Sequence, residues 1–191
     1  QIPGQMCVEA AVCFAYGLPH SDNPPCVGQN VRSLKIHLND SNWSSNESRA
    51  KGMLRLSVAQ LGSDQIDQYQ FRKIVQKMTI QKFLPLILRK VGLNKEADRC
   101  EAEGTYEAAR DASYNADAAA YAAAHAANAA YYAANAAYNA ANAAVHAAYY
   151  AAIHYIASEL GEHILHDFAE EVVQILIQMK SPGCEYLYLT E

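Results

Sequence analysis

The sequence predicts an all-α fold: a multi-helix bundle carrying a long alanine-rich helical tract and ending in a short extended tail. Three observations predict it. Apolar residues recur at spacings of three and four in segment after segment, which places them on one side of a helix. Alanine, the strongest helix former, supplies 23 of residues 116–152. Strand-like alternation is confined to CEYLYL, residues 184–189. A chain of 191 residues suffices for one domain with its own core. Within that domain we read a helical region over 1–104, the tract over 105–160, and a helix with a tail over 161–191.

Gln5 to Tyr16 reads as the first helix, with Met6, Val8, Ala11, Val12 and Ala15 spaced for one buried side and Gly17 suited to a left-handed stop. Pro19, Pro24 and Pro25 make residues 18–26 a loop. A second helix spans about Val27 to Leu38, with Val31, Leu34 and Leu38 inward. Ser44-Ser45-Asn46-Glu47 has the form of a capping box, opening a third helix that runs to Leu61 and stops at Gly62. Ser63-Asp64 opens a fourth, with Ile66, Tyr69, Ile74 and Met78 inward. FLPLILRKVGL is the most apolar stretch, and its Pro85 belongs near a helix start or kink. A short polar helix covers Asn94 to Glu103, and Thr105 is a cap for the alanine-rich helix. After Gly161, the residues Ile164, Phe168, Val172, Ile175 and Met179 mark one face of a last amphipathic helix, which Pro182-Gly183 ends.

The tract has no Asp, Glu, Lys or Arg between Asp117 and Glu159. Its larger residues are ordered: Tyr121, His125, Asn128, Tyr132, Asn135, Asn139, Asn142, His146, Tyr149 and Ile153 advance by alternating steps of four and three, a heptad stripe. A membrane span is excluded, because an asparagine at nearly every turn would leave amides unpaired in hydrocarbon. The alanine and asparagine content resembles that of type I antifreeze helices, but their regularly spaced threonines are missing. Methyl faces allow close helix packing, which leaves the Tyr/Asn/His stripe as a binding surface of adaptable hydrogen-bonding groups. As one helix, Thr105 to Leu160 would measure about 84 Å, against a radius of gyration of about 16 Å for a compact chain of this length. The expectation is therefore either one projecting helix or a stacked hairpin broken around Asn135–Asn142, the latter being our reading.

The net charge of −5 hides a segregation. Residues 31–100 hold 13 of the 15 Lys and Arg and six acids, whereas 101–191 hold two bases and twelve acids. Two oppositely charged parts that attract one another explain this. So would a basic face built from Arg49, Lys51, Arg55, Lys73, Lys77, Lys82, Arg89 and Lys90 for a nucleic acid or an acidic partner. Five dispersed cysteines do not read as a secreted disulfide framework. With no signal-peptide pattern, the expected location is cytoplasmic. A cysteine-dependent enzyme would use Cys7 at a helix N-terminus with His20 and Asp22. A metal site would use His163, His166, Asp167 and Glu170, three- and four-residue neighbours that otherwise form a solvated helix face. No phosphate loop or nucleophile elbow is present, and no cofactor is expected.

The pattern of Cys7, Cys13, Pro19-His20, Asp22 and Cys26, then Leu38-Asn39-Asp40, Trp43-Ser44-Ser45, the tract and residues 177–184 resembles uncharacterised bacterial alanine-rich helical proteins. The helices after Gly104 are similar in texture to immunity proteins of bacterial toxin systems. The resemblance implies a binding protein that neutralises a toxin or acts as an adaptor, and it supplies no catalytic motif. The expected function is accordingly a non-enzymatic interaction module. Its partner is another protein or a second copy of itself, with nucleic acid as the alternative through residues 49–90 and no membrane involved.

Overall fold

The computed structural model describes residues 8–41, 43–90, 92–112 and 163–191, and all regular structure among them is helical. The all-α expectation holds for these residues. Most of the alanine tract, with the predicted stripe and its proposed break, lies outside them, as does Cys7. The chain divides into two compact units. One comprises residues 1–39, 44–71 and 166–191, and the other 40–43 and 72–165.

In the first unit, α1 (Val8–Ala15) is closed by a left-handed Gly17 at φ 69°. The Leu18 N–H reaches Cys13 O and the Gly17 N–H reaches Phe14 O, each at 2.9 Å, which is the bond pair that satisfies the last carbonyls of a helix. The buried face of α1 differs from the expected one. Glu9, Ala10 and Cys13 point inward, while Ala11 and Ala15 are exposed and Val12 is half-buried. The reason is a charge: Glu9 turns in to meet Lys35 of α2 (Gln29–Asn39). That helix buries Val31, Leu34 and Leu38 as expected, with Lys35 between them.

Helix α3 (Asn46–Ala59) is capped by Ser45 rather than Ser44. The Ser45 Oγ accepts the Ser48 N–H at 3.0 Å, one residue out of the expected register. Ser63 and Asp64 do not open the fourth helix but form a 3₁₀ turn, Ser63–Gln65. Helix α4 (Gln68–Met78) starts after Asp67, whose Oδ1 accepts the N–H groups of Tyr69 and Gln70. That later start changes the inward residues to Phe71, Val75 and Met78; Tyr69 is exposed and Ile66 and Ile74 are half-buried.

In the second unit the chain passes from α4 through a π-turn, Thr79–Phe83, into α5 (Leu84–Lys90). Pro85 explains the wide turn. It has no N–H to give to the carbonyl four residues back and its ring crowds that carbonyl, so the register slips and the Leu84 N–H bonds Thr79 O instead. Helix α6 (Asn94–Glu103) ends at Gly104, φ 60°, and Thr105 Oγ1 caps the next helix, α7, which starts at residue 106. The buried cluster here is Ile80, Leu84, Leu88, Ala97, Cys100, Ala108, Ala109 and Ala112, with Leu93 against it. Three of the four α7 and α6 alanines in this cluster sit within one turn of each other, so small side chains let these helices approach closely.

The last α-helix, α8 (His163–Gln178), buries Ile164, Phe168, Val172 and Ile175 as expected, and a second row of Leu165, Ala169, Val173 and Leu176 beside them, whereas Met179 lies past its end and is half-buried. The tail is not extended. Pro182–Thr190 winds as 3₁₀ helix against α3, and with three residues per turn Leu187 faces inward while Tyr186, Tyr188 and Leu189 stay exposed. Its start caps α3. Ser181 Oγ donates to Ala59 O at 3.0 Å and the Gly183 N–H to Leu61 O at 2.7 Å, supplying partners that the end of α3 lacks by itself.

Candidate interaction surface

The predicted stripe, Tyr121, His125, Asn128, Tyr132, Asn135, Asn139, Asn142, His146 and Tyr149, lies outside the described residues. Of the alternative catalytic set, Cys7 lies outside them too, and His20 and Asp22 are both exposed on the loop after α1. The metal candidates His163, His166 and Asp167 are exposed on α8, and Glu170 is turned to Arg55 of α3 with a 3.0 Å bond. No three His, Cys, Asp or Glu side chains converge among the described residues.

The basic residues differ in their surroundings, Arg49 being half-buried and bonded to Asn46 Oδ1 at 2.9 Å. Lys51, Lys73, Lys77, Lys82 and Lys90 are exposed, whereas Arg55 and Arg89 are engaged by carboxylates. Arg89 at the end of α5 bonds Glu101 through both guanidinium ends (2.7 and 2.8 Å) and Asp98 at 2.7 Å, both on α6. Arg99 of α6 bonds Glu103 at 2.8 Å and Asp111 of α7 at 2.7 Å. Arg110 bonds Asp111 and lies over the Tyr106 ring. Most of these pairs join residues of the basic segment to residues of the acidic one. Attraction between the two therefore accounts for part of the segregation seen in the sequence.

The same bonds lower three carboxyl groups. Arg89 holds Glu101 below the usual carboxylate range, Arg99 does so for Glu103, and Arg99 with Arg110 does so for Asp111. A depressed folded pKa gives stability that is complete above the unfolded value, about 3.9 for Asp and 4.3 for Glu, and disappears as pH falls through the folded value. Because the pairs are exposed, the effect is modest and screened by salt. In an acid titration followed by far-ultraviolet circular dichroism, Arg99→Gln is expected to unfold at a higher pH than the wild type. Both should give the spectrum of a folded protein at neutral pH, where the network's contribution is complete, and coincident acid limbs would contradict the network.

Four of the five cysteines lie among the described residues. Cys13 and Cys100 are buried and in no disulfide, and burial pushes Cys100 up to about 11, which leaves it protonated and unreactive. Cys26 and Cys184 are half-buried and in no disulfide, Cys184 Sγ lying 4.0 Å from Ala59 O.

A concentration of exposed aromatic and apolar side chains on the first unit escapes sequence reasoning. Of ten strongly exposed large apolar or aromatic side chains among the described residues, nine belong to the first unit, Phe14, Tyr16, Leu18 and Tyr69 among them. A signal is present in the sequence but is not periodic. Residues 1–31 and 56–71 contain no Lys or Arg at all.

No family model, curated protein or solved structure matches this chain. Among the described residues no helix is long and apolar enough to cross a membrane.

Proposed function

We propose that this protein is a non-enzymatic interaction module that binds another protein, in the manner of a bacterial immunity or adaptor protein of the cytoplasm. The observation that carries this reading is the concentration of exposed Tyr, Phe and Leu side chains on the first unit. Aromatic side chains combine a large apolar area with a polar tip, and they dominate protein contact surfaces. The tyrosines, asparagines and histidines of the tract have the same chemistry at heptad spacing and form the second part of the proposed surface. Nucleic-acid binding through helices 49–90 is the alternative, supported by exposed Lys51, Lys73 and Lys77 but weakened where Arg55 and Arg89 already hold carboxylates.

The test compares immobilised wild type with a Tyr121→Ala/Tyr132→Ala/Tyr149→Ala variant in the same nuclease-treated bacterial lysate. Protein partners retained by the wild type and lost by the variant are the expected result. Identical recovery by both would remove the stripe from the reading. Retention of nucleic acid alone, falling steeply with salt, would transfer the function to the basic helices.

A further inference from the structure

Gln60 closes α3, and its backbone is fully engaged there. Its N–H donates to Leu56 O at 3.1 Å, and its carbonyl accepts the Ser63 N–H at 3.0 Å. The backbone keeps helical angles, φ −69° and ψ −20°, so the side chain continues the phase of the helix. Four and seven residues back on that phase stand Leu56 and Met53, both buried. Gln60 therefore extends an inward apolar row with a carboxamide. The residue is 0% exposed, and neither Nε2 nor Oε1 meets a hydrogen-bond partner among the described residues.

The tail seals this end of the helix. Ser181 Oγ and the Gly183 N–H hold the carbonyls of Ala59 and Leu61, the residues on either side of Gln60. Ala59, Ser63 and Ser181 are themselves buried. The other buried polar side chains described in the first unit each have a partner. Glu9 and Lys35 hold one another, Ser63 Oγ accepts the Gly28 N–H at 3.0 Å, and Ser181 Oγ donates to Ala59 O. Against that background the Gln60 amide stands out. A carboxamide carries two N–H donors and two acceptor lone pairs, and stripping it of water with none of them satisfied would consume a large share of a domain's net stability.

Whatever satisfies this amide must accept from Nε2 and donate to Oε1. A simple anion has no donor and an ammonium or metal cation has no acceptor. The buried charges described in this unit, Glu9 and Lys35, pair with each other, which leaves no counter-charge for an ion at Gln60. The ligand is therefore neutral, and among Met53, Leu56 and Ala59 it is small. Water meets these conditions, and the amide supplies two of the two to four bonds that an internal water makes. We infer that Gln60 anchors an internal water molecule in the first unit, at the end of α3. This site is independent of the interaction-module reading and stands whether or not that reading holds.

The test is oxygen-17 magnetic relaxation dispersion of water in solutions of the full chain, which counts water oxygens that stay bound for longer than the protein takes to tumble. Wild type is compared with Gln60→Met, which keeps a similar volume and removes both polar atoms. Waters held elsewhere are common to the two proteins, so the difference isolates this position. The wild-type amplitude is expected to exceed that of the variant by the contribution of about one water molecule. Equal amplitudes would overturn the proposal. A second measurement needs no variant and decides the matter if Gln60→Met does not fold. In the wild type, the Gln60 side-chain amide protons should show a rotating-frame Overhauser cross-peak to water, opposite in sign to the peaks of exchanging protons. Its absence would also overturn the assignment.

Discussion

Gly183→Ala is expected to destabilise the protein by about 3 kcal/mol, a large share of the roughly 5–15 kcal/mol that holds a domain of this kind folded. A Cβ at this position would lie inside the van der Waals radius of Val58 O, 2.6 Å from Leu61 O and 2.9 Å from Leu61 N. These are backbone atoms of the α3 terminus, and they have no rotamer to escape into. The tail would have to lift. That movement would break the Gly183 N–H bond to Leu61 O and the Ser181 Oγ bond to Ala59 O, and it would expose Leu187. Gly104→Ala is the calibrating control. Its Cβ would meet only the Gln81 side chain, which can swing away, so its cost is mainly the left-handed φ of 60°, about 1 kcal/mol. Urea unfolding of the two variants should therefore rank them clearly. A Gly183→Ala midpoint equal to that of the wild type would mean that the tail is not seated on α3.

The tail also shows where sequence reading stops. CEYLYL alternates like a strand, and alternation is a local signal. What winds it into a 3₁₀ helix is its partner, the end of α3 more than a hundred residues earlier, whose unpaired carbonyls need donors. No pattern within six residues contains that information. The helices themselves were legible because their signals are local too. The spacing of Val31, Leu34 and Leu38, the glycine at 17, the threonine cap at 105 and the face of α8 each depend only on near neighbours. Where a phase was wrong, the cause is specific. Asp67, not Ser63, caps α4, and moving a start by four residues changes which of Ile66, Tyr69 and Phe71 face inward.

The candidate surface was less legible for a related reason. The exposed Tyr16 and Tyr69 are 53 positions apart, and the bonds of Gly28 to Ser63 and of Asn30 to Gln68 join the start of α2 to the 63–68 turn across 35 and 38 positions. Periodicity finds faces of single helices, and several of these exposed side chains stand at helix ends, in a loop and in the tail. A map of where Lys and Arg are missing would have marked both segments, since charge gaps survive without any helical phase.

The missed phase of α1 leads to the other large effect. Glu9 and Lys35 are 1% and 0% exposed, and Lys35 Nζ lies 2.5 and 2.6 Å from the two Glu9 oxygens. Any hydrophobicity count scores both as surface residues, because charged side chains are rarely buried without a partner. Removing one partner strands the other charge in the interior, so Glu9→Met or Lys35→Met alone is expected to cost about 3–5 kcal/mol. Changing both together should restore most of that, or even stabilise the fold by about 1–4 kcal/mol, because two apolar chains of similar volume need no desolvation. A double-mutant cycle in urea measures this directly, and the rescue is the decisive reading. Single variants costing less than about 1 kcal/mol would place the pair in water like a surface bridge. A double variant as unstable as the singles would show that the charges serve other groups than each other. If the rescue occurs, what the pair contributes is register. It fixes which side of α1 faces α2, and with it where Phe14 and Tyr16 stand at the end of that helix. The rescued protein should therefore fold as well as the wild type, while the backbone-amide NMR shifts of residues 8–18 report whether two methionines hold α1 at the same angle as one ion pair.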